Sequence, residues 1–200
     1  MYKFIMRTLC YPAGLIIKSL GITLMIGSRA GTDAWNGLYV GMSDQFGFTV
    51  GTWVILIGML IILLNAGLKK GKPDLFSLLT VLILGTCIDF WLNILSFYPV
   101  NRLEQMLTFW AGLICTCFGI SVYVQGKFAL TPCDDLMYVL CRRFGLSLAV
   151  SKTLTDGCAL VFALMLHGPI SVGTVIFTFL SGPLVQFFAP KIDGLLKQVK

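Results

Sequence analysis

"AGLIIKSLGI" (13–22) and "AGLICTCFGI" (111–120) open two stretches of this chain that align without a gap when the sequence is shifted by 98 residues. The alignment continues to residue 50 against residue 148, and nine of its 38 positions are identical. After a one-residue slip it resumes where "LGTCIDF" (84–90) meets "SGPLVQF" (181–187). The sequence therefore predicts a tandem duplication, with a first repeat at 1–98 and a second repeat at 99–200.

The composition indicates an integral membrane protein. Of the 200 residues, 57% are hydrophobic and 12% are charged, and the mean hydropathy is +0.88. A soluble domain of this length does not need so much apolar surface. About 20 apolar residues cross a bilayer as a helix, and six runs qualify: 10–28, 49–68, 75–96, 104–124, 147–166 and 170–189. We expect an all-α membrane protein with six transmembrane helices.

Each repeat also contains a short polar segment, at 33–46 and at 131–144. Fourteen residues of helix rise only about 21 Å, so we expect non-spanning helices that are either re-entrant or interfacial. With six spans and a cytoplasmic N-terminus, eleven basic residues are cytoplasmic and two lie outside; if the short helices also spanned, the numbers would be eight and five. The positive-inside rule favours six spans. Because each repeat then has three spans, the second repeat must enter the membrane inverted.

The short segments and the last span carry a resemblance to a known family. The stretches 27–58 and 130–147 resemble the YczE/YyaS/YitT family of bacterial membrane proteins, whose pattern G-x-x-P-W-D-x-L is matched by "AWNGL" (34–38) and "PCDDL" (132–136). "GTVIFTFLSGPLVQFF" (173–188) is similar to the closing segment of that family. The first copy departs from the pattern by having Ala34 for proline and Asn36 for aspartate. The resemblance implies an inner-membrane protein but no particular reaction or substrate.

Away from the span ends, four charged residues lie inside the predicted spans: Lys18, Asp89, Lys152 and Asp156. A charge at mid-bilayer costs about 2.5 to 3.5 kcal/mol, so each needs a partner or a function. Lys18 can contact a substrate or ion, belong to a buried ion pair, or snorkel from a tilted helix. Lys152 and Asp156 can neutralise one another at i, i+4. Gln186 occupies the repeat position of Asp89.

Both short helices are predicted to have polar starts. In "TPCDD" (131–135), Thr131 suits the N-cap, Pro132 the first helical position and Asp134 the third position, so helix capping explains the stretch well. If the short helices are re-entrant, their starts approach the midplane and join a polar site. The candidate residues for binding a substrate or ion are then Lys18, Asp33, Trp35, Asn36, Asp89, Asp134, Asp135, Lys152, Asp156 and Gln186.

Signals for an enzyme are poor. His167 is the one histidine, and the seven cysteines form no C-x-x-C pair. Asp89 and Asp156 could in principle form a protease dyad, but no G-x-G-D motif surrounds Asp156. We therefore expect no catalysis, no cofactor, no metal and no nucleic-acid partner.

The leading hypothesis is a small bacterial inner-membrane transporter or permease for a small solute or ion. Its polar site would lie near the midplane between two inverted repeats, and both termini would be cytoplasmic. The alternatives are an accessory or regulatory protein of a membrane partner complex and a substrate-binding subunit of a larger importer. Besides the lipid bilayer, the expected partners are a membrane protein or a second copy of the chain.

Overall fold

The structure is a computed structural model that describes residues 2–95 and 99–198, with side chains described from 7 to 95 and from 99 to 197. The side chain of Lys3 and all of Lys200, both predicted to be cytoplasmic, lie outside the described residues. The described chain forms eight α-helices and no strand. They are α1 (Tyr2–Ser28), α2 (Ala34–Phe46), α3 (Val50–Lys69), α4 (Leu75–Ile94), α5 (Arg102–Gln125), α6 (Pro132–Phe144), α7 (Leu148–Met165) and α8 (Val172–Gln198).

Six of these helices are long and apolar enough to cross a membrane: α1, α3, α4, α5, α7 and α8. This confirms the prediction of an all-α chain with six candidate spans. The helices α2 and α6 have 13 residues each and fall within the two short segments predicted not to span. Their length is too small for a helix to cross the hydrocarbon core.

Helix boundaries recur at matching positions of the two predicted repeats. Thr49 begins α3 as an N-cap, with its side chain accepting a hydrogen bond from the Thr52 backbone N–H at 3.1 Å. Ser147, 98 residues later, caps α7 in the same way. Just before them the chain turns through Gly47 and Gly145, whose φ values of +75° and +67° favour glycine. The same local chemistry therefore sets the same helix ends twice.

The start of α6 differs in one respect from the predicted cap. Pro132 lies in the first turn, as expected, and Thr131 is the N-cap residue. The Thr131 side chain, however, accepts no hydrogen bond from the helix backbone. Its hydroxyl instead donates to Asp134 Oδ2 at 2.6 Å, a charge-assisted hydrogen bond.

The chain divides into two compact units that are interleaved along the sequence. The first unit comprises 1–33, 87–128 and 171–200, and contains α1, α5, α8 and the end of α4. In this unit α1 and α5 are antiparallel, because Gly14 meets Tyr123 whereas Gly21, further along α1, meets Thr116, earlier on α5. The glycines let the two backbones come so close that an added methyl group would overlap the partner helix.

Within the same unit, α8 runs parallel to α5. The Ser121 hydroxyl oxygen lies 3.4 Å from the carbonyl oxygen of Val185, and one turn later Gln125 donates to the carbonyl of Ala189 at 3.2 Å. A polar side chain that bonds to a neighbouring helix backbone in this way gains an acceptor that lipid cannot supply.

The second unit comprises 34–86 and 129–170, and contains both short helices, α3, α7 and most of α4. Here α2 packs on α7 and α6 packs on α3. Gly37 lies against Ala163 and Ile170, and Gly41 lies against the carbonyl of Leu166. These contacts bring each short helix against a span of the other predicted repeat. The boundary between the two predicted repeats, at residue 98, stays a prediction.

Candidate functional site

Two polar contacts in the second unit tie the start of a short helix to a span. We call them the α2–α7 junction, formed by Trp35, Lys152 and Asp156, and the α3–α6 junction, formed by Asn65, Lys69 and Asp135. Each junction joins side chains that are far apart in the sequence and that belong to different predicted repeats.

The α2–α7 junction is centred on the Asp156 carboxylate, which is the ninth of the 18 residues of α7. Asp156 Oδ1 accepts from Trp35 Nε1 at 3.2 Å, and Oδ2 accepts from Lys152 Nζ at 2.8 Å. The i, i+4 ion pair expected from the sequence is therefore present. The Asp156 side chain is paired with Lys152 and is still 26% exposed.

The first two turns of α2 hold Trp35 in place. The Trp35 ring packs against the ring of Tyr39, with centroids 6.5 Å apart. The Tyr39 side chain is buried, and its hydroxyl lies 3.5 Å from the sulfur of Cys133 at the start of α6. Asn36, between these residues on the helix, is also buried. The ring contact with buried Tyr39 restricts the rotamer of Trp35 and hence the direction of its N–H group.

The α3–α6 junction is an ion pair supported by an amide. Lys69 Nζ lies 2.7 and 2.9 Å from the two carboxylate oxygens of Asp135. The amide nitrogen of Asn65 donates to Asp135 Oδ2 and to the carbonyl of Pro132, both at 3.1 Å. Asp135 lies in the first turn of α6 and Lys69 in the last turn of α3, so both charges also complement the helix dipoles. The ion pair anchors the start of α6 to the end of α3.

The two junctions occupy related positions but differ in chemistry. At an offset of 98 residues, Asn65 falls on Ala163 and Gly37 falls on Asp135. Asn65 bonds to Asp135, whereas Ala163 makes an apolar contact with Gly37. A short helix packs on a span in both junctions, whereas this amide–carboxylate contact is found only between α3 and α6 among the described residues.

The remaining predicted residues lie elsewhere. In the first unit, Lys18 is half-buried and its Nζ lies 5.3 Å from the ring centroid of Tyr123. This cation–π contact stabilises the ammonium charge. Asp33 and Asp89 are partly buried in that unit, and Gln186 is exposed on α8. In the second unit, Asp134 bonds to Thr131. The structure thus brings together Trp35, Lys152 and Asp156 of the predicted set.

Comparisons with known proteins agree with the sequence resemblance. The model of a family of unknown function, DUF6198, matches residues 5–190. The chain belongs to this family.

Three relatives illustrate the match. The protein YyaS of Bacillus subtilis is 36% identical over 190 residues, which cover 94% of each chain. The membrane protein YczE of Bacillus subtilis is 30% identical over 195 residues, 97% of this chain and 90% of its own length. A protein of Haemophilus influenzae is 28% identical over 174 residues, 87% and 79% of the two chains. No solved structure matches. These relatives and the six apolar helices establish an integral membrane protein of the YczE/YyaS type.

Two residues of the α3–α6 junction were not predicted to belong to a site. Lys69 is one of the basic residues that the positive-inside rule assigns to the cytoplasmic side, and Asn65 lies within an apolar run. The signal for Asn65 was present, because an amide within the apolar run "ILLNAG" (62–67) needs hydrogen-bond partners inside a bilayer. Among the described residues, no group of three histidine, cysteine or acidic side chains is placed to hold a metal ion.

Proposed function

We propose that this chain is a small transporter or permease of the bacterial inner membrane, with both termini in the cytoplasm, and that the α2–α7 junction is part of its solute or ion site. The observation that carries the proposal is the Asp156 carboxylate, which lies at the middle of a candidate span, remains 26% exposed and bonds to a short helix. A charge in this position is costly, and a purely structural role does not require that it stay accessible.

The bonding of Asp156 suits a group that binds and releases a ligand. Lys152 offsets its charge, and the Trp35 N–H comes from a helix of the other repeat. A proton or a cationic ligand at the carboxylate would replace Lys152, and a shift of α2 would remove the Trp35 donor. Short or broken helices that begin near a polar site are a recurring feature of secondary transporters. Lys18 and Asp89 belong to the other unit, and their part in the site stays a prediction.

We further propose that the two repeats are related by inverted topology. Support comes from α1 and α5, which exchange roles in their contacts. Gly14 of α1 packs against Tyr123 of α5, and Gly112 of α5 packs against Met25 of α1. Gly14 corresponds to Gly112, and Met25 to Tyr123, in the alignment of the repeats. Antiparallel copies that exchange contacts in this way are what a two-fold axis in the membrane plane would produce.

The contacts of the short helices also support the six-span topology. The helix α6 is joined to α3 at Lys69, in a stretch that also carries Lys70 and Lys72 and is predicted to be cytoplasmic. The helix α2 packs against the far end of α7 at Leu166, which this topology assigns to the outer side. Each short helix therefore contacts the end of a span that the topology predicts on its own side.

The proposal is tested first by a thermal-shift screen of the purified chain in detergent against small metabolites and ions. Ligands that bind the native state raise the melting temperature by mass action. The screen is run beside Asp156→Asn and a matched control, Asp193→Asn, because Asp193 forms the same type of ion pair with Lys197, at 2.6 Å. We expect a hit that stabilises the natural chain and Asp193→Asn but not Asp156→Asn.

A hit is then tested for movement across the membrane in proteoliposomes. Uptake or release that depends on Asp156 is the expected result, whereas binding without movement favours the accessory-protein hypothesis. Loss of the hit in both variants, or silence across the library with all proteins folded, would contradict a site at Asp156. If Asp156→Asn does not fold, Trp35→Phe perturbs the same carboxylate while leaving its charge in place.

A further inference from the structure

A cavity of about 190 Å³ lies beside α6 at the end of α3. Four of its lining residues, at 135, 138, 139 and 142, follow the i, i+3, i+4, i+7 spacing of one helix face. The complete lining is Lys69, Leu130, Asp135, Tyr138, Val139 and Arg142. The proposed solute site is at the α2–α7 junction and shares none of these residues.

The charges around this cavity favour an anion. Lys69 and Arg142 are two cations against the single carboxylate of Asp135. Within the described residues, Arg142 takes part in no ion pair. Lys69 bonds to Asp135, but an ammonium group has three N–H donors, so it retains one for a further acceptor. Together with the Tyr138 hydroxyl, the cavity offers donors from three side chains.

The level of the cavity in the membrane and its apolar lining favour an amphiphilic anion. Lys69 is the last residue of α3, and a helix of 20 residues is about 30 Å long, which matches the hydrocarbon core. Lys69 therefore lies near the level of the lipid headgroups. Leu130 and Val139 add apolar surface to the same cavity. Arginine and lysine together are well suited to phosphate oxygens, because the guanidinium forms paired hydrogen bonds and the ammonium a point contact.

We propose that this cavity binds a negatively charged phosphate group, presented by an anionic phospholipid headgroup or by a soluble phosphate compound. Basic pockets between helices near a membrane surface bind such headgroups. The phosphate oxygens accept hydrogen bonds from Arg142, Lys69 and Tyr138, while Leu130 and Val139 contact the apolar part of a lipid. Bound phosphate would link the end of α3 to the middle and end of α6, and would stabilise the α3–α6 junction.

The test uses the full chain in detergent micelles and measures its melting temperature during titration with phosphatidylglycerol, with phosphatidylcholine and with inorganic phosphate. Potassium chloride at equal ionic strength controls for screening. The variants are Arg142→Gln and Arg143→Gln, a matched control because Arg143 is the next residue, is also exposed and does not line the cavity. Tyr138→Phe removes one donor and no charge.

We expect phosphatidylglycerol to stabilise the natural chain and Arg143→Gln more than phosphatidylcholine does. In Arg142→Gln the apparent affinity should fall about tenfold or more, the effect of losing a charge-assisted hydrogen bond. The same dependence with inorganic phosphate would support the site and identify a soluble source, whereas a response to the lipid alone identifies the headgroup. Equal losses in both arginine variants, or no preference over phosphatidylcholine, would overturn the proposal. If Arg142→Gln does not fold, a several-fold weaker affinity of Tyr138→Phe is the deciding result, and an unchanged affinity overturns the proposal.

Discussion

Exchanging Gly119 for alanine should destabilise the pairing of α1 with α5. A methyl group at Gly119 would lie 2.7 Å from the Cα atom of Lys18 and 2.9 Å from the carbonyl oxygen of Gly14. These atoms belong to the backbone of α1, so no side-chain rotation can make room and the two helices must separate. Overpacking of this kind costs about 1 to 3 kcal/mol. We expect the upper part of that range because both obstructing groups are rigid.

The control for this prediction is Gly157→Ala on α7, where an added methyl group would meet no atom within 4 Å. Alanine favours a helix over glycine by about 1 kcal/mol, and this gain is common to both variants. The difference in their free energies of unfolding therefore measures the packing effect alone. Reversible unfolding in mixed detergent micelles, followed by circular dichroism, supplies both values. If Gly119→Ala proves as stable as Gly157→Ala, the close approach of α1 and α5 is incorrect.

Three further predictions concern the junctions and the topology. Trp35→Phe removes one donor from Asp156 and keeps an aromatic ring, so we expect a loss of about 1 kcal/mol in the free energy of unfolding; an unchanged value would mean that the indole bond is not formed. Asn65→Ala removes an amide that serves two acceptors on α6 and should cost about 1 to 3 kcal/mol. In a cysteine-free background, Lys70→Cys should react with an impermeant thiol reagent only after the cytoplasmic face is opened, and Val100→Cys should react in intact cells; the reverse pattern would invert the proposed topology.

The sequence alone is sufficient for the spans because the bilayer imposes a length. The six long apolar runs agree with α1, α3, α4, α5, α7 and α8 to within a few residues at most ends, since about 20 residues are required whatever the neighbours are. The largest differences are at the two ends of the described chain, where α1 and α8 continue beyond the apolar runs. The short helices were also predictable, because glycine and cap residues at matching repeat positions end them independently of tertiary contacts.

The partners of the polar residues were only partly predictable. An i, i+4 pair such as Lys152 and Asp156 follows from helix geometry, and the sequence suffices for it. The Trp35 N–H reaches Asp156 across 121 residues of sequence, and Lys69 reaches Asp135 across 66. No periodicity encodes such distances. They depend on which helix faces are packed together.

The sequence of this protein by itself determined the number of helices in the described residues and, away from the two ends of the described chain, nearly all of their boundaries; it also predicts a duplication of the chain. Those features depend on hydropathy, capping and the fixed thickness of a bilayer, all of which act locally. The tertiary structure decided that Asp156 bonds to a short helix of the other predicted repeat, that Asn65 supports an ion pair, and that Lys69 and Arg142 line one cavity. These depend on close approach between distant segments, which the shapes of whole helix surfaces determine.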